Sequence, residues 1–503
     1  MTRFLVFVLL AAMTALGTQI SSTPVPADQA PSVTFNKDVL PILQNNCQTC
    51  HRPSGIAPMS LLTYESARPW AKAIKAAVVS KQMPPWFADP HYGEFRNAPK
   101  LTEPDIHTLA AWVDSGAREG NPADKPAAIH WADGWRIKPD VVVSMREPFD
   151  VPAKGAGEIQ SFMIANPFKE DTWVTSIEIR PGDPSVVHHV IVQIPEAIPR
   201  QTSVSTASVT VCADCRDDAA LKKVEADFAV KSVAVDNLPR QGGSSYSDQL
   251  AKRRERMTGL GAFTTMEAVY APGSPPLDFR FSKSAKLIPA GRPIRLEVHY
   301  TPNGKQTTDR TVVGFTLAKA PAQRRFIIMA PEHLVDSRKP IRAGAANWET
   351  KGELTFNQDA ELVWFMPHMH LRGKDMTFQL IYPDGRKETV LSAKFNFHWQ
   401  LGYEVENPIK VTKGTRMVVT AHHDNSANNP SNPAPDQVAF WGEMTSQEMM
   451  LPWFGVVVDR AAQPDKIASY RPGDFDGTVP RPPIAGPRPG VPVAQPAILR
   501  QTK

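Results

Sequence analysis

Cysteine is scarce in this chain: 4 residues in 503, at positions 47, 50, 212 and 215. That is too few for a disulfide scaffold, so buried apolar side chains have to hold a fold of this length together. A dominant charge is also missing. Lys+Arg 56 against Asp+Glu 51 leaves +5, spread along the chain. The one dense basic run, Lys252-Arg253-Arg254-Glu255-Arg256, is short and broken by an acid. It reads as a solvated face, and no nucleic-acid partner is expected.

Long apolar runs are absent beyond the first residues. Arg3 precedes an apolar stretch from Phe4 to Leu16, and Ala15-Leu16-Gly17 offers the small residues a signal peptidase reads. The stretch is too short to span a bilayer comfortably. Residues 1–17 therefore read as a cleaved signal peptide, with an uncleaved anchor as the alternative. The expectation is a periplasmic or secreted protein with no membrane span after cleavage.

Apolar residues make up 42% of the chain, enough for sizeable cores, and their spacing changes along it. Residues 18–31 read as a flexible leader. From 32 to 120 the spacing is helical. Phe35, Val39 and Ile42 lead into Cys47, and Trp70, Ile74, Ala77 and Val78 mark a second helix. Thr102, Pro104 and Asp105 open a third, with Ile106, Leu109, Trp112 and Val113 on its inner face and Gly116 at its end. After a linker at 121–135, alternation takes over, as in Trp173, Thr175, Ile177 and Ile179, and again in Ile294, Leu296, Val298 and Tyr300. This is the pattern of all-β sandwiches, and its length calls for two, at 136–320 and 321–460. Residues 201–260 read as a polar insertion, and 461–503 as a Pro-rich tail.

Cys47-Gln48-Thr49-Cys50-His51 has the spacing of covalent haem c attachment. Two thiols reach two vinyl groups on one porphyrin edge, and the next residue's imidazole falls beneath the iron. The other readings are a disulfide or half a zinc site. Export disfavours zinc, and no second pair with zinc-like spacing follows nearby. The segment 32–120 is thus expected to be a small all-α cytochrome c domain. A high-potential carrier takes a thioether as sixth ligand. Met83, in Gln82-Met83-Pro84-Pro85-Trp86, is favoured because two prolines stiffen the chain there, and Met59 is its competitor. Cys212 and Cys215 lack a following His and read as a local disulfide or, alternatively, a metal or redox site.

The chain has 13 histidines. Telling positions are His188-His189 in a Val/Ile run, His299 in Val298-His299-Tyr300, and His368 and His370 in Met366-Pro367-His368-Met369-His370-Leu371-Arg372-Gly373-Lys374. His422-His423 is a further pair. Singly, each is as well explained by a hydrogen-bonded structural histidine. His368 and His370 are two apart in a strand-like run and face the same side, which suits one metal ion. A thioether completing such a set favours copper. His188 and His189 point to opposite faces of a regular strand, so both bind one ion only at a bulge or strand end.

The ordered motifs, a His-His pair, a Val-His-Tyr strand, a His-x-His followed by Leu-x-Gly-Lys, and a Glu-Met at Glu448-Met449, resemble the copper type II, ascorbate-dependent monooxygenases over about residues 140 to 460. That family includes peptidylglycine α-hydroxylating and dopamine β-monooxygenases. The resemblance implies two jelly-roll-like sandwiches with one copper each, facing across a solvent-filled cleft. It assigns His188, His189 and His299 to an electron-transfer copper. It assigns His368, His370 and Met449 to the copper where O2 is activated, and these three carry catalysis. Met366, Leu451 and Trp453 replace the residues that hold a substrate carboxylate in the peptide-processing relative, so a fairly apolar small-molecule substrate is expected.

The whole chain then reads as multidomain: a small all-α cytochrome c domain followed by two all-β jelly-roll-like sandwiches. The expected activity is that of an exported oxidoreductase. It would be a haem c- and copper-dependent monooxygenase with two copper ions, hydroxylating a C–H bond with O2, its haem relaying electrons from a periplasmic electron donor. The alternatives are a haem–copper reductase of a small nitrogen oxide, and a non-enzymatic electron-transfer cytochrome fused to a β-sandwich binding module.

Overall fold

The structure, a computed structural model, describes residues 33–53, 55–129, 135–155, 158–194, 209–211, 266–329, 340–442 and 445–470. The expected signal peptide and leader, Cys212 and Cys215 with most of the insertion, and the tail from 471 lie outside the described residues.

Four α-helices form in the N-terminal part: Leu40–Asn46, Tyr64–Ala67, Ala71–Val79 and Glu103–Asp114. The last starts where its cap signal stands. The Thr102 hydroxyl accepts from the Asp105 amide, and the Asp105 carboxylate accepts from the Thr102 amide at 2.9 Å. Phe35, Leu43, Leu109 and Trp112 close a small core between these elements.

The expected fold class is corrected here in both its parts. The molecule is mostly β, and no substantial all-α domain forms among the described residues. The α-helices are 4 to 12 residues long, and residues 80–101 contain none. Pro84, Pro85, Pro90 and Pro99 remove amide donors from that stretch, and Gly93 takes a φ of 72° that a helix does not allow. The stretch instead runs as a strap over the β structure. Ala88 bridges Ala393, Phe95 bridges Val405, and Trp86 and Phe95 meet Tyr403 edge-on at centroid distances of 5.0 and 5.5 Å.

The second correction concerns the two all-β jelly-roll-like sandwiches, in whose place the described strands form five sheets with one shared between the halves. Every strand pair is antiparallel, and the described strands fall into five sheets. The first half holds one sheet ordered 209–211, 141–144, 312–317, 172–180 and 277–278, with 286–288 also on 172–180. Beside it stand a sheet ordered 158–164, 294–300, 187–193 and 266–270, and a small pair, 149–151 with 307–309. The second half holds a sheet ordered 324–329, 450–459, 360–369 and 403–411, and an outer one ordered 387–394, 373–381, 416–423, 348–356 and 468–470.

The sheet containing 324–329, 360–369 and 450–459 belongs to both halves. Phe326, Ile328, Trp364, Met366, Trp453 and Val457 enter the core of the first half. Ile327, Met329, Phe365, Phe454, Val456 and Val458 enter the core of the second. Strand alternation splits one apolar run between two cores. That is why Leu362-Val363-Trp364-Phe365-Met366 and Trp453-Phe454 read as continuous apolar sequence rather than as alternation. Two sandwiches facing across solvent would need a polar face on this sheet. It has none, so the halves share a wall.

Candidate metal centre

His188 and His189 lie in the strand Val187–Gln193, next to Ile294–Tyr300. The register runs His299 opposite His189 and then Tyr300 opposite Val187, so His188 is the extra residue of a β-bulge. The bulge turns both adjacent imidazoles toward His299. One ligand atom from each of the three rings lies within 4.8 Å of the others. Ring centroids are 4.9 Å apart for His189 and His299, and 5.2 Å for His188 and His299.

The outer nitrogens of His188 and His299 are engaged, and the inner nitrogens of His188 and His189 hydrogen-bond to each other. His188 Nε2 donates to the Phe397 carbonyl at 2.7 Å, which leaves its Nδ1 as the acceptor toward Nδ1 of His189 at 3.1 Å. His299 Nε2 meets the Thr445 hydroxyl at 3.0 Å, and its Nδ1 is buried without a hydrogen-bond partner. A buried ring nitrogen without a protein partner fits metal ligation, and outer-nitrogen hydrogen bonds are how ligand imidazoles are fixed.

His368 and His370 lie at the end of the strand Ala360–Met369, with ring centroids 5.5 Å apart. Here the engaged nitrogen is the other one. His368 Nδ1 donates to Gln400 Oε1 at 2.5 Å, and His370 Nδ1 to the Gln447 carbonyl at 3.3 Å, so both Nε2 atoms keep their lone pairs. Met369 pairs with Met450 across the strands, and the amides of Met449 and His370 both donate to Glu448 Oε1. Trp453 stacks flat on His368 at 4.7 Å.

The two sets touch. His189 and His368 stand 5.5 Å apart, centroid to centroid, and none of the five rings is more than 7% exposed. The solvent-filled separation implied by the resemblance is therefore replaced by one closed cluster. Burial drives the electrostatics. His299 and His368 are pushed down to about 4, by desolvation first, and His188, His189 and His370 well below their ordinary value, with neighbouring histidines adding to burial. Neutral imidazoles with free lone pairs are the protonation state that metal ligation requires.

Sequence reasoning missed the residues that hold this cluster. Glu448 is fully buried and accepts from the amides of His370, Arg372 and Met449 at 2.5, 2.9 and 2.9 Å. Burial pushes its carboxyl up to about 7 against those donors and the Arg372 guanidinium. Arg372 in turn donates to Asn425 Oδ1 and the Ser446 carbonyl at 2.7 and 2.9 Å. A side chain at Gly373 would meet Met369 Cβ and the Phe395 ring at 2.6 Å, which accounts for the glycine of Leu-x-Gly-Lys. The available signal was the presence of Arg372 and Glu448 inside motifs chosen for their other residues. His423 is buried, its Nε2 donating to the Met449 carbonyl at 3.4 Å. His422 instead pairs with Asp375 at 2.6 Å on the outer sheet.

The Cys47-to-His51 segment forms a turn after the first helix, with the Cys50 and His51 amides donating to the Cys47 carbonyl at 3.1 and 2.9 Å. Both cysteines are free thiols. Burial pushes both up, Cys47 to about 12, with Cys50 adding to that rise. Burial lowers His51, whose ring lies by the Met59 carbonyl without a well-aligned hydrogen bond to its buried Nδ1. Two adjacent free thiols and an under-bonded imidazole fit covalent haem c. Met59 packs in the same small core as Cys47. Met83 follows the third helix, and its neighbours Trp86 and Phe87 pack on the second β core.

No family model matches the chain, and no curated protein matches it. Among solved structures, it is weakly similar to the major capsid protein P2 of bacteriophage PM2, at 10% identity and a TM-score of 0.22, over 64% of this chain and 99% of that one. The VP2 subviral particle of infectious bursal disease virus follows at 10% identity and a TM-score of 0.15, over 69% and 78%. A putative secreted protein of Parabacteroides distasonis is at 9% identity and a TM-score of 0.09, over 65% and 85%. At such scores none of these likenesses says what the chain does.

Proposed function

We propose that the protein is an exported haem c- and copper-dependent monooxygenase that hydroxylates a C–H bond of a small, fairly apolar molecule with O2. One observation carries the reading: five histidines from distant strands gather in one buried cluster, and three of them bring ligand atoms within 4.8 Å of one another. The order of the motifs, which resembles that of the copper type II monooxygenases, supplies the reaction class.

His188, His189 and His299 would hold one copper through Nδ1, and His368 and His370 another through Nε2, with Met449 completing the second set. Copper bound there supplies one-electron redox chemistry and O2 activation, and haem c on Cys47, Cys50 and His51 supplies electrons from a periplasmic donor. The chain's own work is positional. Phe397, Thr445, Gln400 and the Gln447 carbonyl fix which ring nitrogens are free. Glu448 holds the backbone of His370 and Met449 in place. Trp453 covers one face of His368 and keeps water from it. The apolar Leu451, opposite His368, and Met366 favour an uncharged substrate.

The test is metal analysis of the purified exported protein, followed by O2 uptake with apolar candidate substrates. Two coppers per covalent haem, and product formation abolished in His368→Ala with the haem spectrum unchanged, are expected. Absence of copper, or turnover surviving that substitution, would refute the assignment.

A further inference from the structure

The loop between the strands 387–394 and 403–411 touches both histidine sets. The Phe397 carbonyl accepts from His188 Nε2 at 2.7 Å and from Gln400 Nε2 at 3.3 Å. The other end of the same Gln400 amide, Oε1, accepts from His368 Nδ1 at 2.5 Å. One unbroken chain of hydrogen bonds therefore runs His188, Phe397 carbonyl, Gln400 amide, His368. Gln400 is only 2% exposed, and Phe397 also stacks on the His188 ring at 4.2 Å. The N-terminal strap pins this loop at both ends. Lys394 donates its amide to the Phe87 carbonyl at 3.0 Å, and Asn97 Nδ2 donates to the Gly402 carbonyl at 2.8 Å.

We propose that Gln400 is a positioning residue for both metal sets at once, its amide setting which nitrogen His368 offers and, through the Phe397 carbonyl, how His188 is oriented. The proposal rests on the copper reading above. The chemistry requires a primary amide. Its oxygen can only accept, so His368 must place its proton on Nδ1 and free Nε2. Its nitrogen can only donate, so it reinforces the Phe397 carbonyl that claims Nε2 of His188 and frees Nδ1. No other neutral side chain of this length offers both ends. A carboxylate keeps the first contact and loses the second, and an apolar side chain loses both.

The sites are separated for measurement by working in two backgrounds, His370→Ala, which leaves the three-histidine set, and His299→Ala, which leaves the other. Cu(II) affinity is read by competition with a chelator, and each site by its paramagnetic resonance spectrum. Gln400→Leu is expected to weaken copper binding about 10- to 100-fold in both backgrounds. Gln400→Glu is expected to restore affinity where His368 is the ligand and not where His188 is. A metal-free readout stands beside this. With histidine-selective 15N labelling, the wild-type protein should carry the His368 proton on Nδ1, and Gln400→Leu should release it to Nε2. Wild-type protein that takes up no copper overturns the copper reading and this inference with it. Two coppers in the wild type, with Gln400→Leu affecting one background or neither, overturns this inference alone, as does a wild-type His368 protonated on Nε2.

Discussion

The turn at Cys47 to His51 and the histidine cluster are two candidate redox sites built on opposite plans. The first takes its three reactive groups from five consecutive residues on one turn, at the edge of a small core. The second takes its five imidazoles from residues 188 to 370, across two sheets, and buries them almost completely. A site of the first kind needs only a local backbone conformation. A site of the second kind exists only when the whole β structure is in place, and it in turn burdens that structure with five desolvated imidazoles. Chemistry at the turn can thus be deleted without loss of the fold, whereas changes at the cluster reach both function and stability.

The sharpest way to break this contrast is to remove one ligand from each site. His299→Ala should abolish copper binding by the three-histidine set while the covalent haem spectrum persists. Cys50→Ala should remove the stable two-point haem attachment, seen as loss of haem stain on a denaturing gel, and leave copper binding intact. If either substitution removed both cofactors, the two sites would not be independent.

Next in size is Glu448→Ala. It strands three buried amides and removes the carboxylate whose charge faces the Arg372 guanidinium. Breaking one partner out of a buried charged network costs on the order of 3–5 kcal/mol, which a denaturant melt would read as a lower midpoint. The same scale, about 3–5 kcal/mol, applies to Phe454→Ala in the shared sheet, where no site residue is touched.

A smaller, graded effect concerns pH. His299, His368 and His423 ionise at about 4 in the folded chain, against an ordinary 6.5, because burial disfavours the charged ring. Between those values the unfolded chain binds more protons than the folded one. The contribution of these rings to the stability of the metal-free protein is therefore complete above pH 6.5 and is lost as the pH falls toward 4, by up to ~1.4 kcal/mol per pH unit for each, with the raised Glu448 carboxyl offsetting one of them over part of the window. Copper-loaded protein should resist this loss until the ions dissociate. A metal-free melt that is flat over the window would show that the rings are not buried as described. The least effect is expected at His422, which pairs with Asp375 at the surface. His422→Gln should cost at most about 1 kcal/mol and leave copper content unchanged.

The sequence made the turn legible because all its chemistry lies within five residues. The cluster was legible in part. The adjacent His188 and His189 required a bulge to share an ion, and the register places one there. His368 and His370, two apart, share a face of their strand as alternation demands. What could not be read was the partnership of these pairs with the Phe397 carbonyl, Thr445 and Glu448, because loop contacts between distant residues leave no periodic trace. Helical spacing over 32–120 was real at Leu40–Asn46, Ala71–Val79 and Glu103–Asp114, but it was extended too far. The prolines from 84 to 99 turned the intervening chain into a strap. The shared sheet escaped notice for a related reason: a strand buried on both faces loses the alternation by which strands are recognised.

That common sheet also sets how the molecule can come apart. With side chains of the same strands serving two cores, neither half has a complete interior alone. A nick in the connection between Leu317 and Arg324 should yield fragments that stay associated and refold only when mixed, rather than two autonomous modules. Rigid hinge motion of one half against the other would tear open a continuous apolar layer.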